Sequence, residues 1–329
     1  MTVAFPPVMP DQLAVLVGIE TAYGTLPAGA TATRVTDLRM GGLRASTTVP
    51  EIGIAGSVGP REPFRQAADL REPVVGLSAL FDIENFDWML LPFFGQPTIT
   101  AGTALDSSFS QRLFRGSATG AVNSLSVRAA IGGDAWTANG LVGDSLDIPL
   151  GKSGGLRAIT ASYMASDVAR GVAWTPTPIT QPRPSYHVPG WSTILRINGS
   201  AFTVVDGNLT IAAGAERSPD SNNRDVSTPR PGRITASLTG SVELASQAQM
   251  DILTRAIAGN ADAIQVEMWP DATNRRRVII DLPYMRIMAP ELSVSAAATR
   301  VPVSLTATAE RDPAGAASAL AISVWRSAT

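Results

Sequence analysis

"GRITASLTGSVEL", residues 232–244, alternates without a break. Ile234, Ala236, Leu238, Gly240 and Val242 fall on one side of an extended chain, and Thr235, Ser237, Thr239, Ser241 and Glu243 on the other. A period of two with one apolar set predicts a strand with one buried face. The strand runs into "ASQAQMDILTRAIAGN" (245–260), where Ser246 and Gln249 have the spacing of a capping box and Met250, Leu253 and Ile257 recur on one helical face. Gly259 is placed to end that helix. Three further alternating stretches follow: "AIQVEMW", "VIIDLPYM" and "RVPVSLTATAERD", the first two joined by the turn-like "PDATNRRR". In the last, Val301, Val303, Leu305, Ala307 and Ala309 share a face.

The same order of elements occurs earlier in the chain. "EPVVGLSALFDI" alternates Val75, Leu77, Ala79, Phe81 and Ile83, and "ENFDWMLLPFFG" supplies a short helix ending at Gly95. A Gly/Ser/Thr-rich insertion, residues 96–123, precedes "SLSVRAAI", "DAWTANGLVGDSLDIPL" and "LRAITASYMASD", which match the three late strands. Asp167 and Asp312 are expected to close the last strand of each set. Ahead of each matched strand lies a strand-like segment ("TRVTDLRMGGLRAS", "AFTVVDGNLTIAAGAE") followed by a long polar loop, a length unusual unless the loop works or orders on binding. The expectation is a mainly β protein of two tandem β-sandwich or barrel-like domains, each with a short flanking helix and a long inter-strand loop. Residues 1–170 form the first with an N-terminal arm, the Pro-rich stretch 171–191 is a semi-rigid linker, and 192–329 form the second.

Composition narrows the chemistry. With no cysteine, disulfides, thiolate zinc sites and a Cys nucleophile are excluded, and with one histidine, His187, so is a multi-His metal cage. The net charge of -2 includes 25 Arg against the single Lys152, a bias of coding or of planar pairing. No Arg/Lys cluster dominates a segment, so the footprint of a protein that grips duplex phosphates is missing. The N-terminus has no basic residue ahead of its apolar run and carries early prolines, so no signal peptide is expected. No window of about 18 apolar residues predicts a membrane span.

Asp82, Glu84 and Asp87 are a conceivable oxygen-ligand or paired-carboxylate set, but they bracket a strand-to-helix turn where acids favour a helix start. His187, in "SYHVPGW", has no partner motif, and Ser185 lacks the turn that aims a nucleophile. "NRRRV" is the densest basic run and falls where a hairpin turn with exposed charge is expected; "GKSGG" lacks phosphate-loop spacing. The aromatics of "NFDWMLLPFFG" and "VPGW" read as packing, with a sugar platform as the alternative. No enzyme constellation, cofactor or metal site emerges.

The stretch "GIETAYGT" (18–25), the strand and helix of "LSALFDIENFDWML" and the late "WTANGLVGDSLDIPL" together resemble the tail tube proteins of long, non-contractile-tailed (siphovirus-like) bacteriophages. The resemblance implies a structural virion protein, not an enzyme and without cofactors. It implies β-rich tube domains forming rings that stack into the hollow tail through which double-stranded DNA passes during ejection, without specific binding. It further implies tape-measure, tail-tip and terminator proteins as partners, no membrane, assembly in the host cytoplasm, and residence in the virion tail. In that family the long early loop reaches towards the neighbouring ring, which assigns inter-ring or inter-subunit contacts to Glu51, Arg61, Arg65 and Arg71, and in the second half to Glu216, Arg217, Arg224 and Arg230. With the unit present twice, a ring needs three chains of pseudo-sixfold symmetry; a hexamer is the alternative if the halves are no duplication. A β-rich receptor- or carbohydrate-binding module of a virion or cell surface, a carboxylate enzyme using Asp82 and Asp87, and a related cellular injection tube are the rival readings.

Overall fold

The computed structural model describes residues 13–25, 31–41, 46–47, 67–68, 73–101, 109–115, 122–131, 134–151, 154–170, 184–217, 229–270, 276–292, 301–309 and 320–327. The first part of the chain forms β1 (Leu13–Ile19), β2 (Thr31–Val35), β3 (Asp37–Gly41), β4 (Ser46–Thr47), β5 (Ala67–Ala68), β6 (Val74–Leu80), α1 (Asp87–Phe94), β7 (Thr98–Ala101), β8 (Phe109–Arg115), β9 (Leu125–Ile131), β10 (Asp134–Pro149), β11 (Ala158–Met164) and β12 (Asp167–Arg170). The remainder forms β13 (Thr193–Ile197), β14 (Ser200–Ala212), β15 (Glu216–Arg217), β16 (Pro229–Arg230), β17 (Thr235–Leu244), α2 (Gln247–Ile257), β18 (Ala261–Met268), β19 (Arg277–Leu292), β20 (Val301–Ala309) and β21 (Ala321–Ser327). The protein is mainly β and its principal sheet closes into a barrel.

The ladder can be followed strand by strand, and all of its pairings are antiparallel. In the later part, β13 pairs β14, β14 pairs β17, β17 pairs β20, β20 pairs β19, β19 pairs β18, and β18 returns to β13. The earlier part follows the same route: β1 to β2, β3 to β6, β6 to β11, β11 to β10, β10 to β9, and β9 back to β1. There the circuit closes through the chain itself, because β2 and β3 are separated only by Thr36, whose N–H donates to the Ser78 carbonyl at 2.6 Å. The two longest strands, β10 and β19, each span 16 residues and give their first half to a late strand, β12 or β21 respectively. The circuits are joined where β10 (145–149) pairs β14 (208–212) and where β21 pairs β8.

Burial follows the alternation in the sequence. Val75, Leu77, Ala79, Phe81 and Ile83 are all buried, as are Ala236, Leu238 and Val242 in β17, while Thr235 and Thr239 face out. Helix α1 is apolar almost all round and so sits inside: Met89, Leu90, Leu91, Phe93 and Phe94 are buried, with Phe93 5.7 Å from the Tyr163 ring and Phe94 6.4 Å from Phe114. At the start of α2 the expected capping box is made. The Gln249 amide donates to Ser246 Oγ at 3.4 Å, and the Ser246 amide to Gln249 Oε1 at 3.1 Å. Gly95 (φ 73°) and Gly259 (φ 80°) end the two helices in the left-handed region, where a side chain is strained.

Four expectations need correction. Of Met250, Leu253 and Ile257, expected together on one face of α2, Met250 is 37% exposed and the side chains of the other two lie outside those described; Gln249 and Ile252 are buried, the Gln249 side chain donating to the Ala201 carbonyl at 2.7 Å. The 96–123 insertion contains the β7–β8 hairpin, whose second strand pairs the C-terminal β21. Asp167 opens β12 and does not close β11; Asp312 lies outside the described residues. In the basic run, Arg276 and Arg277 are not exposed turn charge, their side chains being 17% and 25% exposed, while Arg275 lies outside the described residues.

Candidate assembly sites

The stretch "GIETAYGT" is built around a buried carboxylate. Glu20 leaves the end of β1 at 7% exposure and accepts hydrogen bonds from Gly24 N (2.7 Å), Ser124 Oγ (2.6 Å), Ser126 Oγ and Gly140 N (2.7 Å). Burying a carboxylate costs heavily unless donors replace its water, and four donors do so here. Two come from Ser124, just ahead of β9, and Ser126 within it, one from a bulge in β10, and one from the turn that Glu20 itself starts. Gly140 has φ +63°, and a Cβ there would lie 2.3 Å from Ser166 Oγ and 2.8 Å from the Tyr23 ring. Tyr23 donates to the Gly140 carbonyl at 3.3 Å, and burial pushes its phenol up to about 12. Thus "GIETAYGT" and "WTANGLVGDSLDIPL", distant in sequence, are one joint.

A second polar joint ties the strand-to-helix turn before α1 to the C-terminal part of the chain. Glu84, 1% exposed, accepts from Arg276 Nε (2.7 Å), Ser327 N (3.1 Å) and Ser327 Oγ (2.8 Å), while Arg326 Nη1 donates to the Glu84 carbonyl at 2.6 Å. Burial raises the Glu84 acid and the donors from Ser327 and Arg276 more than reverse this, holding it below its ordinary value of 4.5. Asp87 meets Arg112 (2.9 Å) and Arg326 (2.7 Å). The Arg276 guanidinium also lies 3.6 Å over the Tyr186 ring and 5.2 Å over Phe109. Arg277 pairs Glu267 at 3.2 Å and covers Trp325 at 5.5 Å. Arg276 and Arg277 thus belong to a half-buried seam, and Asp82, Glu84 and Asp87 serve structure: Asp82 accepts from the Glu84 and Tyr186 amides (3.1 and 3.0 Å) and from Asn85 Nδ2 (2.8 Å). The α1 N-cap itself, Phe86, has no side-chain bond.

Residues 184–191 run along the same seam. Val188 exchanges backbone bonds with Phe81 and Arg157 at 2.8 Å each, and His187 and Pro189 form bridges to Asp82 and Leu156. Buried Arg157 clamps the carbonyls of Pro149 and Gly190 (2.8 Å to Gly190) together with Thr193 Oγ1, and burial lowers its pKa to about 10. Of the two aromatic stretches, α1 is packing throughout, whereas Trp191 is 56% exposed.

Of the residues assigned to contacts between rings, Glu51, Arg61, Arg65, Arg71 and Arg224 lie outside the described residues. Glu216 and Arg217 pair with Arg230 and Pro229, forming the two-stranded base of the second loop. The corresponding base of the first is the β4–β5 pair. Glu216 and Arg230 are exposed, while Arg217 Nη2 reaches the Pro73 carbonyl and ties its loop base to the earlier circuit. Among the described residues no group of acids and histidine is placed to hold a metal, and no helix is long and apolar enough to cross a membrane. Sequence reasoning missed Glu20, Arg157 and Arg326. The signal for Glu20 was a lone acid at the end of an apolar strand, followed at once by a small-residue turn.

A family model described as phage tail tube protein matches residues 11–310. No curated protein matches the chain.

Proposed function

Since the chain belongs to the phage tail tube protein family, and is therefore a structural, non-enzymatic component of a multi-subunit tube in the virion tail, we propose that it forms stacked rings of three chains with pseudo-sixfold symmetry. In this reading the two halves are tandem tube domains, 1–170 and 192–329, joined through 171–191. The observation that carries it is the matching order of strand pairings in the two circuits, with a helix after β6 and β17 and a long loop before each. The loops containing Glu51, Arg61, Arg65 and Arg71, and Glu216, Arg217, Arg224 and Arg230, contact the neighbouring ring. The tail is of the long, non-contractile kind and is assembled in the host cytoplasm around a tape-measure protein between tail-tip and terminator proteins. Double-stranded DNA passes through it on ejection without specific binding. The low charge density supports a conduit, since many phosphate contacts would retain DNA.

Negative-stain electron microscopy over a concentration series, with mass by light scattering, tests this. Stacked rings of three chains are expected. Rings of six would remove the duplication and keep the tube; a monomer at every concentration, unchanged by a tail-tip extract, would overturn the ring reading in favour of a binding module. Deleting residues 63–69 is expected to leave rings but abolish stacking, and tubes of normal length would refute the loop assignment.

A further inference from the structure

The joint between the two circuits is itself a strand pairing, and the matched topology leaves one copy of each partner strand unused. β10 offers Ser145, Leu146 and Asp147 to Ala212, Ile211 and Thr210 of β14. Superposing β6 on β17 by their buried alternation places Val75 on Ala236 and Leu77 on Leu238. The registers then carry Arg39, Met40 and Gly41 of β3 onto Thr210, Ile211 and Ala212 of β14. Through β11 and β20, which place Ala161 on Ala307, they carry Ser145, Leu146 and Asp147 of β10 onto Arg286, Ile287 and Met288 of β19. Leu146 and Ile287, so matched, are both buried.

In the chain, β14 (208–212) lies between β17 and β10, but its counterpart β3 pairs only β6 among the described residues. Likewise β10 (145–147) lies between β11 and β14, whereas β18 leaves β19 at the Ala261–Arg286 pair, and beyond it Ile287 and Met288 pair only β20 among the described residues, with Met288 59% exposed. An open edge of this kind is a template for another strand. We propose that the end of β19 in one copy, past its last pair with β18, pairs antiparallel with β3 of the next copy, Ile287 opposite Met40 and Met288 opposite Arg39. The contact is head-to-tail, so repeating it closes a ring when the rotation per step divides the circle. Within the chain the equivalent cross-strand pair touches, Thr210 Oγ1 donating to Asp147 Oδ1 at 2.6 Å. At the contact between copies a methionine takes the place of the carboxylate and packs along the stem of Arg39. The inference rests on the ring reading above.

The absence of native cysteine makes thiol trapping clean. Full-length chain carrying both Arg39→Cys and Met288→Cys is oxidised after assembly and run on denaturing, non-reducing gels, with grids stained in parallel. Both positions are exposed, and the reduced variants are expected to melt as wild type. Covalent species up to a trimer and no larger are expected from the double variant, a dimer from a mixture of the two single variants, and nothing from either single variant alone. A dimer from one single variant alone would mean that an edge pairs with itself and would overturn the proposal. Rings on the grid without cross-links would overturn this contact while leaving the ring reading intact. Neither rings nor cross-links at any concentration would overturn both.

Discussion

Removing the Glu84 carboxylate tests whether the seam between the early and late parts of the chain is a single energetic unit. The group is 1% exposed and meets Arg276, whose side chain is 17% exposed, so truncation leaves a largely desolvated guanidinium without its anion. Breaking a buried pair from one side costs about 3–5 kcal/mol. Arg276 keeps its cation–π contacts with Tyr186 and Phe109, and about 3 kcal/mol is expected for Glu84→Ala. Arg276→Ala should cost a similar amount and the double variant about 4 kcal/mol, well short of the sum, for a coupling of about 2 kcal/mol. The assay is urea denaturation of wild type, both single variants and the double variant. Costs that simply add to within about 0.5 kcal/mol would refute the coupling. A pH series with Glu84→Gln supplies the sign. The folded-state acid is depressed below 4.5, so its contribution is fully present above that value and is lost as pH falls through the folded value. The gap between wild type and Glu84→Gln should be level near neutrality and narrow below about 4.5; a gap that widens in acid contradicts the assignment.

Glu20→Ala strands donors from Gly24, Ser124, Ser126 and Gly140, and a loss of about 3 kcal/mol or more in denaturant titration is expected at about 1–3 kcal/mol per unsatisfied buried group, with losses not additive. Gly140→Ala combines a left-handed φ with a contact of 2.3 Å to Ser166 Oγ, so a lowered melting temperature is expected, and an unchanged one would place the β10 bulge elsewhere. Leu238→Asp buries an unpaired charge at a position 3% exposed and should unfold at least the later circuit, whereas Thr239→Asp, one residue on and exposed, should melt within about 0.5 kcal/mol of wild type. Reversal of those two outcomes would shift the β17 register by one.

The β class, the strands β6 and β17, both helices with their terminating glycines and the Ser246–Gln249 cap were legible in the sequence. Their causes are local: a period of two, a period near 3.6, and side chains bonding a backbone three residues away. The parts that were misread or missed depend on partners far along the chain. Arg276 reads as turn charge until Glu84, 192 residues away, is placed beside it, and Glu20 reads as an ordinary acid until Ser124 and Gly140 converge on it. Strand β21 buries Ile322, Ser323 and Val324 in succession and so lacks the clean alternation of β6, and its pairings with β8 and β19 are what make it a strand. By itself, then, the sequence determined the extended and helical segments whose apolar residues recur strictly, and the apolar face of each such strand. Which edges meet, which charges are sheltered and which edges stay open were decided only when the ladder closed, because strand pairing and desolvation depend on neighbours in space that no local pattern records.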